Sequence, residues 1–157
     1  MADMHRTLKL LRTNDDDAAI RAPQPSLANL DRLLEQSRAA GLDIELTIEG
    51  HPRALAEGLD LSAFRIVQEA LTNVIKHSRR AYTRVLVGYL PDSLRLVISN
   101  DPSPSGDAAP RINGAGHGLI GMRERAALFG GTLVAQPTAE YGWQVTATLP
   151  YGDANSV

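Results

Sequence analysis

The stretch from Asp60 to Arg79 constrains the fold of this chain more than any other. It holds no Pro or Gly and carries its apolar side chains at helical spacing. At about 100° per residue, Phe64, Val67, Leu71, Val74 and Ile75 share one broad face. Glu69, Asn73, Lys76 and His77 gather on the opposite side. A long helix is therefore expected over 60–79, with Ser62 or Asp60 as its N-cap.

The plainest reading of the polar stripe is a solvated helix face. Two details point elsewhere. Asn is a poor helix-interior residue. Here it stands one turn after a Glu, with a cation one turn further on. Such a stripe lines up a carboxylate, a neutral oxygen and a positive charge along one groove. Mg²⁺ prefers hard oxygens, keeps several waters and takes few protein ligands. One Asn oxygen suffices for it, and Lys76 or His77 can meet phosphate oxygens.

The remaining chain supplies partners for that helix. Met4, Leu8 and Leu11 fall at helical spacing in a basic segment ending at Arg12. Residues 13–25 have linker composition. Ser26 is expected to cap a helix through Leu27, Leu30, Leu33 and Leu34 that stops at Gly41. Alternation of Ile44, Leu46 and Ile48 predicts a strand over 43–49. Further strands are expected near 84–89, 93–99, 132–136 and 143–149, with a helix over 118–129 stopped by Gly130-Gly131. Residues 100–117 read as one long loop, a length usually reserved for lids or disordered segments. Residues 152–157 read as a tail. Strands joined by such short connections must pair antiparallel. The order of elements predicts an α+β two-layer sandwich, with helices on one face of a mixed sheet.

The second informative segment is Asn113-Gly-Ala-Gly-His-Gly-Leu-Ile-Gly-Met-Arg-Glu-Arg. Glycine lets backbone approach a ligand closely, and a helix N-terminus favours phosphate. A flexible capped connection explains it equally well. The spacing is neither the Walker pattern nor a dinucleotide fingerprint, because no Gly-Lys-Ser/Thr follows and no strand precedes it.

Together the two segments resemble a known family. Arg65-Ile-Val-Gln-Glu-Ala-Leu-Thr-Asn-Val-Ile-Lys-His is similar to the asparagine box of histidine kinases of the nitrate/nitrite-sensor type. Gly116-His-Gly-Leu-Ile-Gly-Met-Arg-Glu-Arg, followed by Gly130-Gly131, resembles their second glycine box. Pro23-Gln-Pro-Ser-Leu-Ala-Asn-Leu resembles the segment preceding this domain in actinobacterial members. The resemblance spans about 23–150 and implies the Bergerat ATP-binding fold shared with gyrase, Hsp90 and MutL proteins. It implies ATP and Mg²⁺ as ligands, with Asn73 on the metal and Glu69 orienting a metal-bound water or assisting proton transfer. Lys76 and His77 would lie near the phosphates. Gly114, Gly116, His117, Gly118 and Leu119 would form the lid hinge and phosphate-side backbone, with Gly121 and Met122 near the nucleotide. The family's first glycine box reads roughly Asp-x-Gly. Here Asn100 stands for the adenine-reading Asp and Pro102 for the Gly, with Asp101 as reader if the register is offset by one. A neutral Asn oxygen can still accept from an adenine amino group.

The resemblance also implies an acceptor histidine followed by an acidic residue. None of His5, His51, His77 and His117 is followed by one. The expectation is a catalytic domain (26–150) behind the end of a dimerisation helix and a linker (1–25). It would bind ATP as a monomer without phosphorylating itself, and serve a separate dimerisation domain and a response regulator. A serine kinase of the anti-sigma type and a degenerate nucleotide-binding or scaffold module are the alternatives. Composition adds exclusions. With no cysteine there are no disulfides or thiolate metal sites. A net charge of -2 gives no general pull toward nucleic acid. No apolar run is long enough to span a bilayer, so a cytoplasmic location is expected, which leaves room for a membrane anchor in a longer parent chain.

Overall fold

The computed structural model describes residues 25–78, 80–102, 116–139 and 142–152. The expected helix before Arg12, the linker up to Gln24, most of the long loop and the last five residues lie outside them.

A 3-10 turn (Leu27–Asn29) leads into α1 (Leu30–Ala39), followed by β1 (Asp43–Glu49) and the 21-residue α2 (Glu57–His77). Then come β2 (Tyr82–Tyr89), β3 (Ser93–Asn100), α3 (Gly116–Ala127), β4 (Thr132–Pro137) and β5 (Trp143–Pro150). The five strands form one sheet in the order β1-β2-β3-β5-β4. β1 pairs parallel with β2, and α2 is the crossover between them. The other three pairs are antiparallel, as the short connections require.

Period-two alternation sends Leu94, Leu96, Ile98 and Asn100 of β3, and Val145, Ala147 and Leu149 of β5, into the interior. Ile66, Val67, Ala70, Leu71 and Val74 of α2 meet them from the helix side, as do Leu119, Met122 and Ala126 of α3. The opposite sheet face carries Arg84, Arg95, Gln144, Thr146 and Thr148, polar enough to face water. This is the expected α+β two-layer sandwich.

Three local expectations need correction. The long helix begins at Glu57, and neither Ser62 nor Asp60 caps it: its N-cap is Ala56, with no side-chain bond. Ser62 is buried inside the helix. Asp60 turns outward and binds the incoming chain, accepting from Ser26 Oγ at 2.5 Å and Leu27 N at 2.8 Å. Ser26 therefore caps the 3-10 turn, through Ala28 N at 3.1 Å, and α1 proper starts four residues later. Finally, the expected loop over 100–117 is shorter at both ends. Asn100 is the last residue of β3, and α3 already starts at Gly116.

Candidate functional site

Helix α2 runs across the sheet with its apolar face down, so its polar stripe looks away from the sheet. A freely solvated stripe would be exposed. Instead Arg65, Gln68, Glu69, Thr72, Asn73 and His77 are half-buried, and only Lys76 is open to solvent. The cover is α3, whose first turn lies directly on the stripe. A Cβ placed on Gly118 would stand 2.5 Å from Glu69 Oε1 and 3.4 Å from Asn73 Nδ2. Only glycine lets the two helices come this close without moving the carboxylate. The two segments singled out in the sequence thus touch at Glu69, Asn73 and Gly118.

Asn100 arrives from the sheet. Its register partner on β2 is Thr83, just beyond the C-terminal end of α2. That places Asn100 at the same end of the sandwich as Asn73, Lys76 and His77. It is 4% exposed, on the helix-covered face. Its Nδ2 donates to the Asp101 carbonyl at 3.0 Å, and its Oδ1 has no partner among the described residues. The backbone there is held tightly, since a Cβ on Gly142 would fall 2.0 Å from the Asn100 carbonyl oxygen. Asp101 goes the other way. Its Oδ1 accepts from Arg84 Nη1 at 3.0 Å on the outer sheet face. Arg84 also lies over the Tyr82 ring, 4.7 Å from its centroid. Tyr82 in turn donates a short hydrogen bond to Glu45, which pushes its hydroxyl pKa above the usual value.

Among the other expected residues, Leu119 and Met122 have core side chains, 3% and 1% exposed, so only their backbone can face a ligand. Gly116 and His117 stand in the first turn of α3. The His117 side chain and Gly114 lie outside the described residues. Three residues not singled out as site residues lie beside the site. Arg65, Gln68 and Arg125 line a cleft of about 640 Å³ between α2 and α3, together with Glu69, Gly118, Gly121 and Met122. The signal was present in the helical spacing: Arg65 precedes Glu69 by one turn, and Arg125 follows Gly118 by two.

No dedicated metal cage exists among the described residues, which hold no cluster of three His, Cys, Asp or Glu side chains. The donor set at Glu69 and Asn73 fits a hard cation that takes most of its ligands from phosphate and water.

No family model matches the chain. The sensor histidine kinase LnrJ of Bacillus subtilis is 30% identical over 146 residues, covering 92% of this chain and 34% of that protein. The sensor histidine kinase LiaS of the same organism is 34% identical over 123 residues, covering 77% and 33%. The chain belongs to the sensor histidine kinase family. It spans about a third of the length of these curated relatives. The nucleotide-free catalytic domain of the histidine kinase ThkA superposes with a TM-score of 0.59 at 15% identity, covering 78% of this chain and 92% of that one. The fold is therefore that of a histidine kinase catalytic domain. Among its described residues, no helix is long and apolar enough to cross a membrane.

Proposed function

We propose that this histidine kinase domain binds Mg-ATP and transfers the γ-phosphoryl group to a histidine on a separate dimerisation domain. The observation that carries this reading is the packing of Gly118 onto Glu69 and Asn73, at the end of the sandwich where Asn100 is buried. One pocket edge can then meet a base, and a carboxylate and an amide lie one turn apart for a metal-bound phosphate chain.

Each residue has a task suited to its chemistry. Asn100 reads the base. Its Nδ2 is committed to the Asp101 carbonyl, so Oδ1 is the atom left to accept from an exocyclic amino group such as that of adenine. Asp101 is the weaker candidate because Arg84 holds it on the outer face. Asn73 offers a hard oxygen to Mg²⁺, whose role when bound is to neutralise charge on the phosphates. Lys76 and His77, in the last turn of α2, supply positive charge and donors for phosphate oxygens. Glu69 would orient a water beside the metal site or take the imidazole proton. Backbone N–H groups from Gly116 to Leu119 face the phosphates from the start of α3, helped by the helix dipole. Gly121 and Met122 present backbone beside the nucleotide.

In the transfer itself, the imidazole nitrogen forms a bond to the γ-phosphorus as the bridging P–O bond breaks. The electron pair stays on the ADP oxygen, and the imidazole proton leaves to a base. Catalysis of this kind is mainly positioning and charge neutralisation. The partners under this reading are the dimerisation domain and, beyond it, a response regulator. The isolated chain is a monomer of cytoplasmic location and has no role for nucleic acid.

Calorimetric titration tests the reading. Wild type binds ATP only with Mg²⁺ present. Asn73→Ala loses roughly ten- to a hundredfold in affinity, the scale of one charge-assisted contact. Equal affinity in the variant would remove Asn73 from the site, and no binding by wild type at millimolar Mg-ATP would sink the function.

A further inference from the structure

We propose that the cleft between α2 and α3 is the docking slot for the acceptor, and that Arg65 and Arg125 select an acidic segment beside the acceptor histidine. The inference rests on the phosphotransfer reading above and adds the chemistry of its second substrate.

The position of the cleft makes the first argument. Asn100 marks the base end of the site, on the sheet side beyond the C-terminal end of α2. Asn100, Lys76, His77 and Asn73 do not line the cleft, whereas Arg65, Gln68 and Glu69 do. At 1.5 Å per residue, Arg65 lies about 12 Å before Asn73 along the helix axis. The cleft therefore opens on the side of Glu69 away from the base. A γ-phosphate held near Asn73 and Glu69 points into it, and an in-line acceptor must approach from that side.

The lining makes the second argument. Arg65 Nη1 donates to Gln68 Oε1 at 2.8 Å, an i,i+3 bond that orients the guanidinium and leaves its other donors facing the cleft. Arg125 faces it from α3 and forms no ion pair among the described residues; nor does Glu69, the one acid in the lining. Two guanidiniums against one carboxylate give the slot a net positive charge. Planar guanidiniums take carboxylates in bidentate fashion. Gly118 and Gly121 keep the floor clear of side chains, and a Cβ at Gly121 would meet nothing within 4 Å. A slot of about 640 Å³ with a backbone floor has room for an imidazole and a neighbouring carboxylate side chain.

The test separates docking from nucleotide binding. Arg65→Ala, Arg125→Ala, the double variant and the paired Lys substitutions are compared with wild type in two measurements. The first is Mg-ATP titration of the chain alone. The second is phosphotransfer to an isolated dimerisation domain carrying the acceptor histidine, with and without a short polyglutamate peptide. The expected result is unchanged Mg-ATP affinity and at least a tenfold rise in KM for the acceptor in the double Ala variant, with partial recovery in the Lys pair. Polyglutamate should compete with the acceptor and not with ATP, in wild type only. Loss of Mg-ATP affinity in the Ala variants would assign the guanidiniums to the nucleotide and overturn the slot, as would an unchanged acceptor KM. Wild type that fails to bind Mg-ATP overturns the function reading; wild type that binds it but phosphorylates no acceptor overturns both.

Discussion

Two of the acids on helix α2, Asp60 near its start and Glu69 nine residues on, stand in opposite circumstances. Asp60 is fully engaged, with one oxygen on Ser26 Oγ and the other on Leu27 N. Glu69 is half-buried against Gly118 and has no hydrogen-bond or ion-pair partner among the described residues. The cations repeat the contrast. Arg84 is paired with Asp101 on the bare sheet face, whereas Arg125 points unpaired into a cleft. A half-buried charge whose partners all come from its own chain contributes to the fold. One left without partners in a concave place is a candidate for meeting something else.

This contrast can be broken by substitution. Glu69→Ala should lower phosphotransfer by about a hundredfold or more, the scale of a lost proton acceptor, while stability stays within about 0.5 kcal/mol. Asp60→Ala should do the reverse. Removing two hydrogen bonds to a carboxylate costs about 2 kcal/mol and lowers the melting temperature by about 5 °C, with Mg-ATP affinity unchanged. If Asp60→Ala weakens nucleotide binding as much as stability, the division of labour along α2 is wrong.

A smaller effect belongs to the same end as Asp60. Burial, with the Asp60 charge adding to it, raises the Tyr89 hydroxyl pKa above the ordinary value. The folded protein therefore keeps Tyr89 neutral at a pH where the unfolded chain ionises it. The resulting stability is present below about pH 10 and is lost as pH rises through the raised folded value. Urea midpoints should fall more steeply above pH 10 in wild type than in Tyr89→Phe; parallel curves would exclude this contribution. Arg84→Ala should give the smallest effect. An exposed pair contributes at most about 1 kcal/mol, and base affinity should change no more than a few-fold. A larger drop in affinity would mean that the outer-face pair helps to hold Asn100 in place.

The sequence made the two layers legible because α2 and the strands keep clean periods of 3.6 and 2. Local capping was less legible. Asp60 has the residue type and position of an N-cap, and only the folded chain shows that Ser26 and Leu27 claim it first. Sheet order and the parallel β1–β2 pair were also out of reach, since they follow from where α2 lays the chain down. At the site, Glu69, Asn73 and Gly118 were legible as motif residues, and the structure puts them in mutual contact. Arg65 and Arg125 were harder to read: their spacing from Glu69 and Gly118 was visible, but an arginine on a helix usually snorkels to water. Their common cleft exists only once two helices lie side by side.

The crossover role of α2 has a consequence for how the domain folds. β2 and β3 meet through a tight turn and can form a hairpin early from local contacts. β1 must wait for the whole of α2 to dock before it finds β2, and such distant pairings are slow to form. The helix bearing Glu69 and Asn73 is therefore tied to a non-local step of assembly. A chain that has not completed its sheet has no place to hold a nucleotide.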